Sequence, residues 1–326
     1  MNGRLEKEMQ VRQKIEEKLK NAPQILTAFY NWMDAREKTF NTMERYVNHV
    51  IDFMNFYTKG KRNEEFYKNV TDDDIERYMI SIRKKNVDGK VVEIGDSIRA
   101  TKWSALNTFF SFLTKKKYID VNPVLQTERP RVKTKNEVVY MKQDEIKSVF
   151  HRVETESTRK LKNRDICIIS LGLCTGLRVS AIVNINVEDI DFHTNIIKVV
   201  EKGRKTREIK FAENFKTILL LWLKDRELYF AADSSSGPLF LSISRKTRLS
   251  VDSVEEMIAK YTSHLPKHIT PHKLRSSAAM NLYSNGVGIL SIASLLGHEN
   301  VTTTQRYTKA FDEEKENVVN ILDQMF

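Results

Sequence analysis

The chain carries three short stretches near its C-terminal end that together indicate its fold: T-P-H-K-L-R at residues 270–275, L-G-H at 296–298 and T-Q-R-Y at 304–307. Threonine followed by proline is typical of the first positions of an α-helix, so a helix is expected to begin at Pro271. On that helix His272 and Arg275 are three residues apart and share a face. They lie in its first turns, where free N–H groups and the helix dipole favour an anion.

The residue types in these stretches suit one kind of chemistry. Arginine, histidine and a helix N-terminus bind the oxygens of a phosphodiester, and a tyrosine hydroxyl can act as a nucleophile. A second histidine, His298, follows Gly297, which is a typical helix stop, and Tyr307 follows a short run of threonines. Singly, such residues more often lie on a surface or in a core. In combination they predict a phosphodiester bound beside a hydroxyl nucleophile.

Two stretches further upstream complete the pattern. C-T-G-L-R-V-S at residues 174–180 contains Arg178, and V-E-K-G-R-K-T-R at 200–207 lies between two β-rich runs, as a hairpin would. In this order and spacing the stretches resemble the tyrosine recombinase family, the integrases and Xer-like recombinases. The order of several boxes carries the resemblance, since any one of them alone is weak.

The resemblance implies a mainly α-helical protein with a small β-hairpin or sheet. It would have two domains, an N-terminal helical core-binding domain and a C-terminal α+β catalytic domain. Lys202 falls at the position of the catalytic lysine, although Lys205 and Arg204 compete for that role. The implied catalytic residues are Arg178, Lys202, His272, Arg275, His298 and Tyr307.

One position departs from the family pattern. The family usually carries Glu or Asp three residues after its first arginine, in a role that supports the active-site groups. This chain has Ala181 there. The enzyme is still expected to cleave DNA, with a less pre-organised site, and a catalytically weakened DNA-binding homologue remains an alternative.

Composition agrees with a DNA-binding protein of two domains. The chain has 326 residues and a net charge of +11, which favours a polyanionic partner. Cys167 and Cys174 lie seven residues apart in an apolar run, too far apart on a helix to form a disulfide, and both are expected in the core. No signal peptide, membrane span, phosphate-binding glycine loop or metal-ligand spacing is recognisable. We therefore expect a cytoplasmic protein that needs no metal or other cofactor.

The domain boundaries are predicted from changes in composition and periodicity. Residues 1–21 form a charged extension, 22–122 the helical core-binding domain, 123–139 a basic linker and 140–326 the catalytic domain. Four helices are expected within the core-binding domain. Basic residues near its end and in the linker are candidate DNA contacts: Lys102, Lys115, Lys116, Lys117, Arg131 and Lys133.

A last helix is expected after Tyr307, because Val318, Leu322 and Met325 form an apolar stripe. It would pack on its own domain or, as the family implies, on a neighbouring protomer in a homotetramer on paired DNA sites.

The function expected from the resemblance is site-specific recombination through a 3′-phosphotyrosyl intermediate. The alternative enzyme is a type IB topoisomerase. The pattern does not distinguish a mobile-element or phage integrase from an enzyme that resolves chromosome dimers.

Overall fold

The computed structural model describes residues 3–87, 90–132, 138–200, 206–233, 235–244, 246–297 and 307. The chain divides into two compact units, Met1–Thr134 and Lys135–Phe326. Each unit has its own core, the first rich in aromatic rings and the second in aliphatic side chains. No helix in the described ranges is long and apolar enough to cross a membrane.

The first unit is mostly helical. Its elements are α1 (Gly3–Lys20), α2 (Gln24–Asp34), α3 (Phe40–Thr58), α4 (Asp72–Ser81), strands β1 (Lys84–Val87) and β2 (Lys90–Glu93), α5 (Asp96–Lys115) and a short 3-10 helix (Pro123–Gln126). The apolar stripes expected from the sequence face its core, as with Val47 and Val50 of α3. Thr71 begins α4 with a capping box to Asp74, as its sequence predicted.

Three features of the first unit differ from the sequence prediction. Ile15 and Leu19 of α1 are buried in its core, so the charged N-terminal segment packs as part of the unit. Val124 is buried there as well, so the first residues of the predicted linker also belong to this unit. The β1–β2 hairpin was not expected, because helical periodicity was assigned throughout this region. Short polar strands carry too weak an alternation to be recognised beside strong helical stripes.

The second unit combines helices with a small three-stranded sheet. Its elements are α6 (Gln143–Glu156), α7 (Arg159–Thr175), α8 (Val179–Asn184), a 3-10 helix (Val187–Asp189), strands β3 (Ile190–Asp191), β4 (Ile196–Val200) and β5 (Thr206–Lys210), and helices α9 (Glu213–Phe230), α10 (Val251–Thr262), α11 (Pro271–Ser284) and α12 (Ile289–Leu296). This mixture of many helices with a small sheet confirms the predicted fold class.

The sheet is antiparallel with the order β3-β4-β5, and it contains the hairpin predicted from the sequence. Ile197 pairs with Ile209, and both side chains are buried in the core. Val200 pairs with Thr206, so the five residues between them connect the two strand ends. Those five residues, 201–205, lie outside the described part of the chain.

Helix α7 runs through the core of the second unit. Asp165 is buried and accepts hydrogen bonds from the Arg164 guanidinium, at 2.7 Å, and from the Tyr261 hydroxyl, at 2.9 Å. Cys167 is buried, which confirms its predicted place in the core, whereas Cys174 is exposed. The prediction for Cys174 was wrong because its side chain lies on the outward face of α7, although the neighbouring Thr175 is buried.

Candidate active site

The start of α11 is the part of the site that the sequence predicted most directly. Thr270 is the N-cap and Pro271 the first helical residue, which confirms the predicted helix start. The carbonyl of Thr270 accepts a hydrogen bond from the Lys273 amide at 2.8 Å. His272 is exposed in the first turn. An exposed imidazole at this position can meet an anion bound near the helix N-terminus.

Arg275 lies one turn further along α11 and is almost completely buried, with 1% of its surface exposed. Its Nη1 donates to the carbonyl of Gly176 at 2.8 Å, and its Nη2 donates to the carbonyl of Leu296 at 2.6 Å. A guanidinium has five N–H groups in a rigid plane, so it can join two carbonyls and still present donors to another group. Arg275 therefore connects the C-terminal ends of α7 and α12.

The end of α7 leads directly to Arg178. Gly176 ends the helix in the left-handed conformation, with φ of 60°. A β-carbon there would lie 2.4 Å from Leu296 Cδ2, so glycine allows α12 to approach closely. Arg178 is the N-cap of α8 and is exposed. The contact between Gly176 and Arg275 thus holds the two predicted catalytic arginines in one region.

Helix α12 ends at the predicted stop, Gly297, whose φ is 63°. Its last carbonyls are bound by arginines from two other elements. Besides Arg275, Arg207 of β5 donates from Nη1 to the carbonyls of Ser294, at 3.1 Å, and Leu295, at 2.8 Å. Positive charge at a helix C-terminus is favourable because the helix dipole is negative there.

Arg207 was not among the residues selected from the sequence. A signal was nevertheless present, because side chains two apart on a strand point to the same side. Arg207 and the apolar Ile209 are two apart, and the structure buries Ile209 and half-buries Arg207. An arginine on the inward face of a strand requires a partner, although the sequence does not identify which.

Tyr307 is fully buried in this structure. It belongs to an apolar cluster with Ala279 and Met280 of α11 and Ile292 and Leu296 of α12. The tyrosine therefore packs against the same turn of α12 whose Leu296 carbonyl binds Arg275. This arrangement brings Tyr307 into the region of Arg275 while covering its side chain.

Several predicted site residues lie outside the described part of the chain. They are the predicted catalytic residues His298 and Lys202, the two residues that compete with Lys202 for its role, Arg204 and Lys205, and the candidate DNA contact Lys133. The stripe predicted after Tyr307 lies outside it as well. Ala181, which replaces the usual acid, lies within the described part of the chain. It is buried in the core of the second unit.

The candidate DNA contacts of the first unit fall into two groups. Lys115, Lys116 and Lys117 at the end of α5 are exposed, as is Arg131. Lys102 is different, because only 13% of its side chain is exposed and its Nζ lies 2.6 Å from the Asp52 carboxylate. The structure therefore gives Lys102 an intramolecular partner, which a phosphate would have to displace.

The carboxylate of Asp52 has a pKa lowered to about 2, by the imidazole of His49 and by the ammonium of Lys102. His49 Nδ1 is 4.0 Å away, beyond hydrogen-bond distance, so Lys102 makes the direct contact.

In the described ranges no group of three or more His, Cys, Asp or Glu side chains is arranged to hold a metal ion.

Comparison with known proteins identifies relatives over most of the chain. A sequence model of the phage integrase family matches residues 139–314. A protein of Caldanaerobacter subterraneus named tyrosine recombinase XerC is 32% identical, over 91% of this chain and 86% of its own length. Tyrosine recombinase XerS of Streptococcus gordonii is 26% identical, over 92% and 95%.

Solved structures share the fold at lower identity. The XerH site-specific recombinase bound to a palindromic difH substrate has a TM-score of 0.65 and 19% identity, over 89% of this chain and 82% of that one. A lambda integrase dimer (residues 75–356) bound to a COC′ core site has a TM-score of 0.66 and 19% identity, over 87% and 94%. Both comparisons cover the two units described above.

Proposed function

The chain belongs to the phage integrase family of tyrosine recombinases, and we propose that it recombines DNA at specific sites through a covalent bond between Tyr307 and a 3′-phosphate. The observation that carries this proposal is the pair of hydrogen bonds from Arg275 to the carbonyls of Gly176 and Leu296. They join the segments that lead to Arg178 and His298, residues that are far apart in sequence.

In the proposed reaction, the hydroxyl oxygen of Tyr307 attacks the scissile phosphorus. The bond from phosphorus to the 5′-oxygen breaks, and the energy of the phosphodiester is kept in the new phosphotyrosyl bond. The 5′-hydroxyl of a partner strand can then attack that bond and release the tyrosine. The step is a transesterification, so it is balanced without ATP.

Each remaining residue has a role that its chemistry supports. Arg178 and Arg275 neutralise the non-bridging oxygens, where negative charge increases in the transition state. His298 donates a hydrogen bond to the same oxygens. Lys202 donates a proton to the leaving 5′-oxygen, because an alkoxide is a poor leaving group. His272 accepts the proton of the tyrosine hydroxyl.

The burial of Tyr307 requires a change of position before cleavage. A fully buried side chain cannot reach a phosphate in the duplex. We propose that DNA binding and protomer assembly move Tyr307 out of its apolar cluster on α11 and α12. A conformational change induced by the substrate would complete the active site once the DNA is bound.

The two units have separate roles in this proposal. The first unit is the core-binding domain, which contacts the duplex through the exposed lysines at the end of α5, and the second is the catalytic domain. The active form is a homotetramer on paired sites, in which the segment after Tyr307 docks on a neighbouring protomer. We place the reaction in the cytoplasm, and its two proposed uses are integration of a mobile element or phage and resolution of chromosome dimers.

The covalent intermediate gives a direct test. A DNA site is first selected from a random duplex library by its binding to the Tyr307→Phe variant. A copy of that site, nicked so that cleavage cannot be reversed, is then incubated with the wild-type protein in EDTA. We expect a covalent protein–DNA band on a denaturing gel that is missing with Tyr307→Phe.

The alternatives give different results in the same assay. Binding without a band would indicate the catalytically weakened homologue, and Ala181→Glu would then be the first variant to examine. A band together with relaxation of supercoiled DNA that lacks the selected site would favour the type IB topoisomerase. A band that forms only with added metal would contradict the metal-free mechanism, and a band that persists in Tyr307→Phe would contradict the tyrosine nucleophile.

A further inference from the structure

In the part of the chain that the structure describes, Arg207 joins strand β5 to the end of α12. Its Nη1 carries two N–H groups, and the carbonyls of Ser294 and Leu295 lie 3.1 Å and 2.8 Å from that nitrogen. The side chain is half-buried on the inward face of β5, beside buried Ile209. The hydrogen bond to Leu295 is partly buried, so water competes for it less than for the exposed one to Ser294.

Both partners in this contact lead to predicted catalytic residues. Strand β5 begins at Thr206, which pairs with Val200, and Lys202 lies in the five-residue connection between them. Helix α12 ends at Leu296, and His298 follows two residues later. The contact therefore holds together two described elements, β5 and the last turn of α12, that lie next to these residues in the sequence.

We propose that Arg207 is a positioning residue that holds strand β5 against the C-terminus of α12, so that Lys202, which precedes β5, can reach the leaving 5′-oxygen. It acts through Lys202 and does not itself touch the DNA. The inference rests on the proposed function, in which Lys202 protonates the leaving 5′-oxygen.

The chemistry of the leaving group separates positioning of Lys202 from general support of the fold. When sulfur replaces the bridging 5′-oxygen, the leaving group is a thiolate, which is stable without a proton. Loss of the general acid should then cost little. A variant that misplaces Lys202 should recover with the sulfur substrate, whereas a variant that disturbs the arginines should remain slow with both.

The experiment measures single-turnover cleavage of the selected DNA site, with oxygen or sulfur at the bridging position. The variants are Arg207→Ala, Arg207→Lys and Lys202→Ala. Glu208→Ala is the matched control, since Glu208 is the next residue on β5 and is exposed. Thermal unfolding and DNA binding of each variant are measured alongside.

We expect Arg207→Ala to cleave the oxygen substrate on the order of 10²-fold more slowly, which is the lower range for loss of a general acid. On the sulfur substrate, Arg207→Ala and Lys202→Ala should both approach the wild-type rate. Arg207→Lys should show the same pattern with a smaller defect, because an ammonium keeps the charge without the planar geometry. Glu208→Ala should cleave both substrates like the wild type.

The proposal is overturned if Lys202→Ala recovers on sulfur while Arg207→Ala and Arg207→Lys show equal defects on both substrates. Wild-type cleavage of the oxygen substrate by Arg207→Ala would also overturn it. If both Arg207 variants fail to fold, the contact serves the fold and the positioning role is rejected. If Lys202→Ala does not recover, the general-acid assignment fails first, and the inference about Arg207 fails with it.

Discussion

Replacing Gly176 with alanine is expected to destabilise the second unit and to slow cleavage. Gly176 ends α7 with φ of 60°, and its carbonyl accepts the hydrogen bond from Arg275 Nη1. An added β-carbon would lie 2.4 Å from Leu296 Cδ2, and Leu296 is fully buried. Either Leu296 or the end of α7 must therefore move, and both are bound by Arg275.

The magnitude follows from two separate costs. A non-glycine residue in the left-handed conformation costs about 1–2 kcal/mol. Forcing a methyl group into a packed core costs about 1–3 kcal/mol more. Gly286→Ala is a matched control, since its φ is 81° and no atom lies within 4 Å of the added β-carbon. Gly286→Ala should therefore show only the conformational cost, and Gly176→Ala should exceed it by about 1–3 kcal/mol.

Urea unfolding followed by tryptophan fluorescence measures this difference in the second unit alone. Trp222 is buried there, and the other two tryptophans, Trp32 and Trp103, lie in the first unit. All variants are compared in a background in which Trp32 and Trp103 are replaced by phenylalanine. Equal destabilisation by Gly176→Ala and Gly286→Ala would refute the idea that glycine at 176 is needed for the approach of Leu296.

Three further predictions concern DNA binding and stability. Lys116→Ala should weaken DNA binding to all sequences alike and reduce the slope of log K against log salt by about 1, measured by fluorescence anisotropy; an unchanged slope would exclude a phosphate contact. Asp52 has a folded-state pKa lowered to about 2, so the stability it contributes is present above its unfolded pKa and is lost as pH falls from about 4 to 2. Asp52→Asn should remove that part of the pH dependence in acid titrations of unfolding, and a curve parallel to that of the wild type would contradict the assignment. Tyr261→Phe should lower the free energy of unfolding by about 1–3 kcal/mol, because it removes a hydrogen bond from the buried Asp165 carboxylate; a change below about 0.5 kcal/mol, as for an ordinary surface substitution, would show that the carboxylate finds another donor.

The local elements of the site could be predicted from the sequence because their causes lie within a few residues. Thr270 and Pro271 begin α11, and Gly297 ends α12, since capping and left-handed glycine depend on the neighbouring backbone. The hairpin of β4 and β5 was recognisable from two β-rich runs around a polar turn. The apolar stripes likewise identified the helices that form each core.

Features that depend on contacts between helices or strands distant in sequence were not predictable in this way. The N-terminal helix packs into the first unit because Ile15 and Leu19 meet side chains from other helices, although its composition is mostly charged. Lys102 was expected to contact DNA, yet it binds Asp52, fifty residues away. A charged side chain on a helix looks the same in sequence whether its partner is a phosphate or a carboxylate.

The order and identity of the residues expected to cleave DNA come from the sequence alone, because its boxes resemble those of the tyrosine recombinase family in order and spacing. The contacts that orient two of the arginines depend on the tertiary structure. The partners of Arg275 are the carbonyls of Gly176 and Leu296, 99 and 21 residues away, and Arg207 reaches Leu295 across 88 residues. Backbone carbonyls are present at every position, so no local pattern marks which of them a buried arginine will bind. The packing of α7, α11, α12 and β5 determines which carbonyls lie within reach, and residues of α11 and α12 also pack against Tyr307.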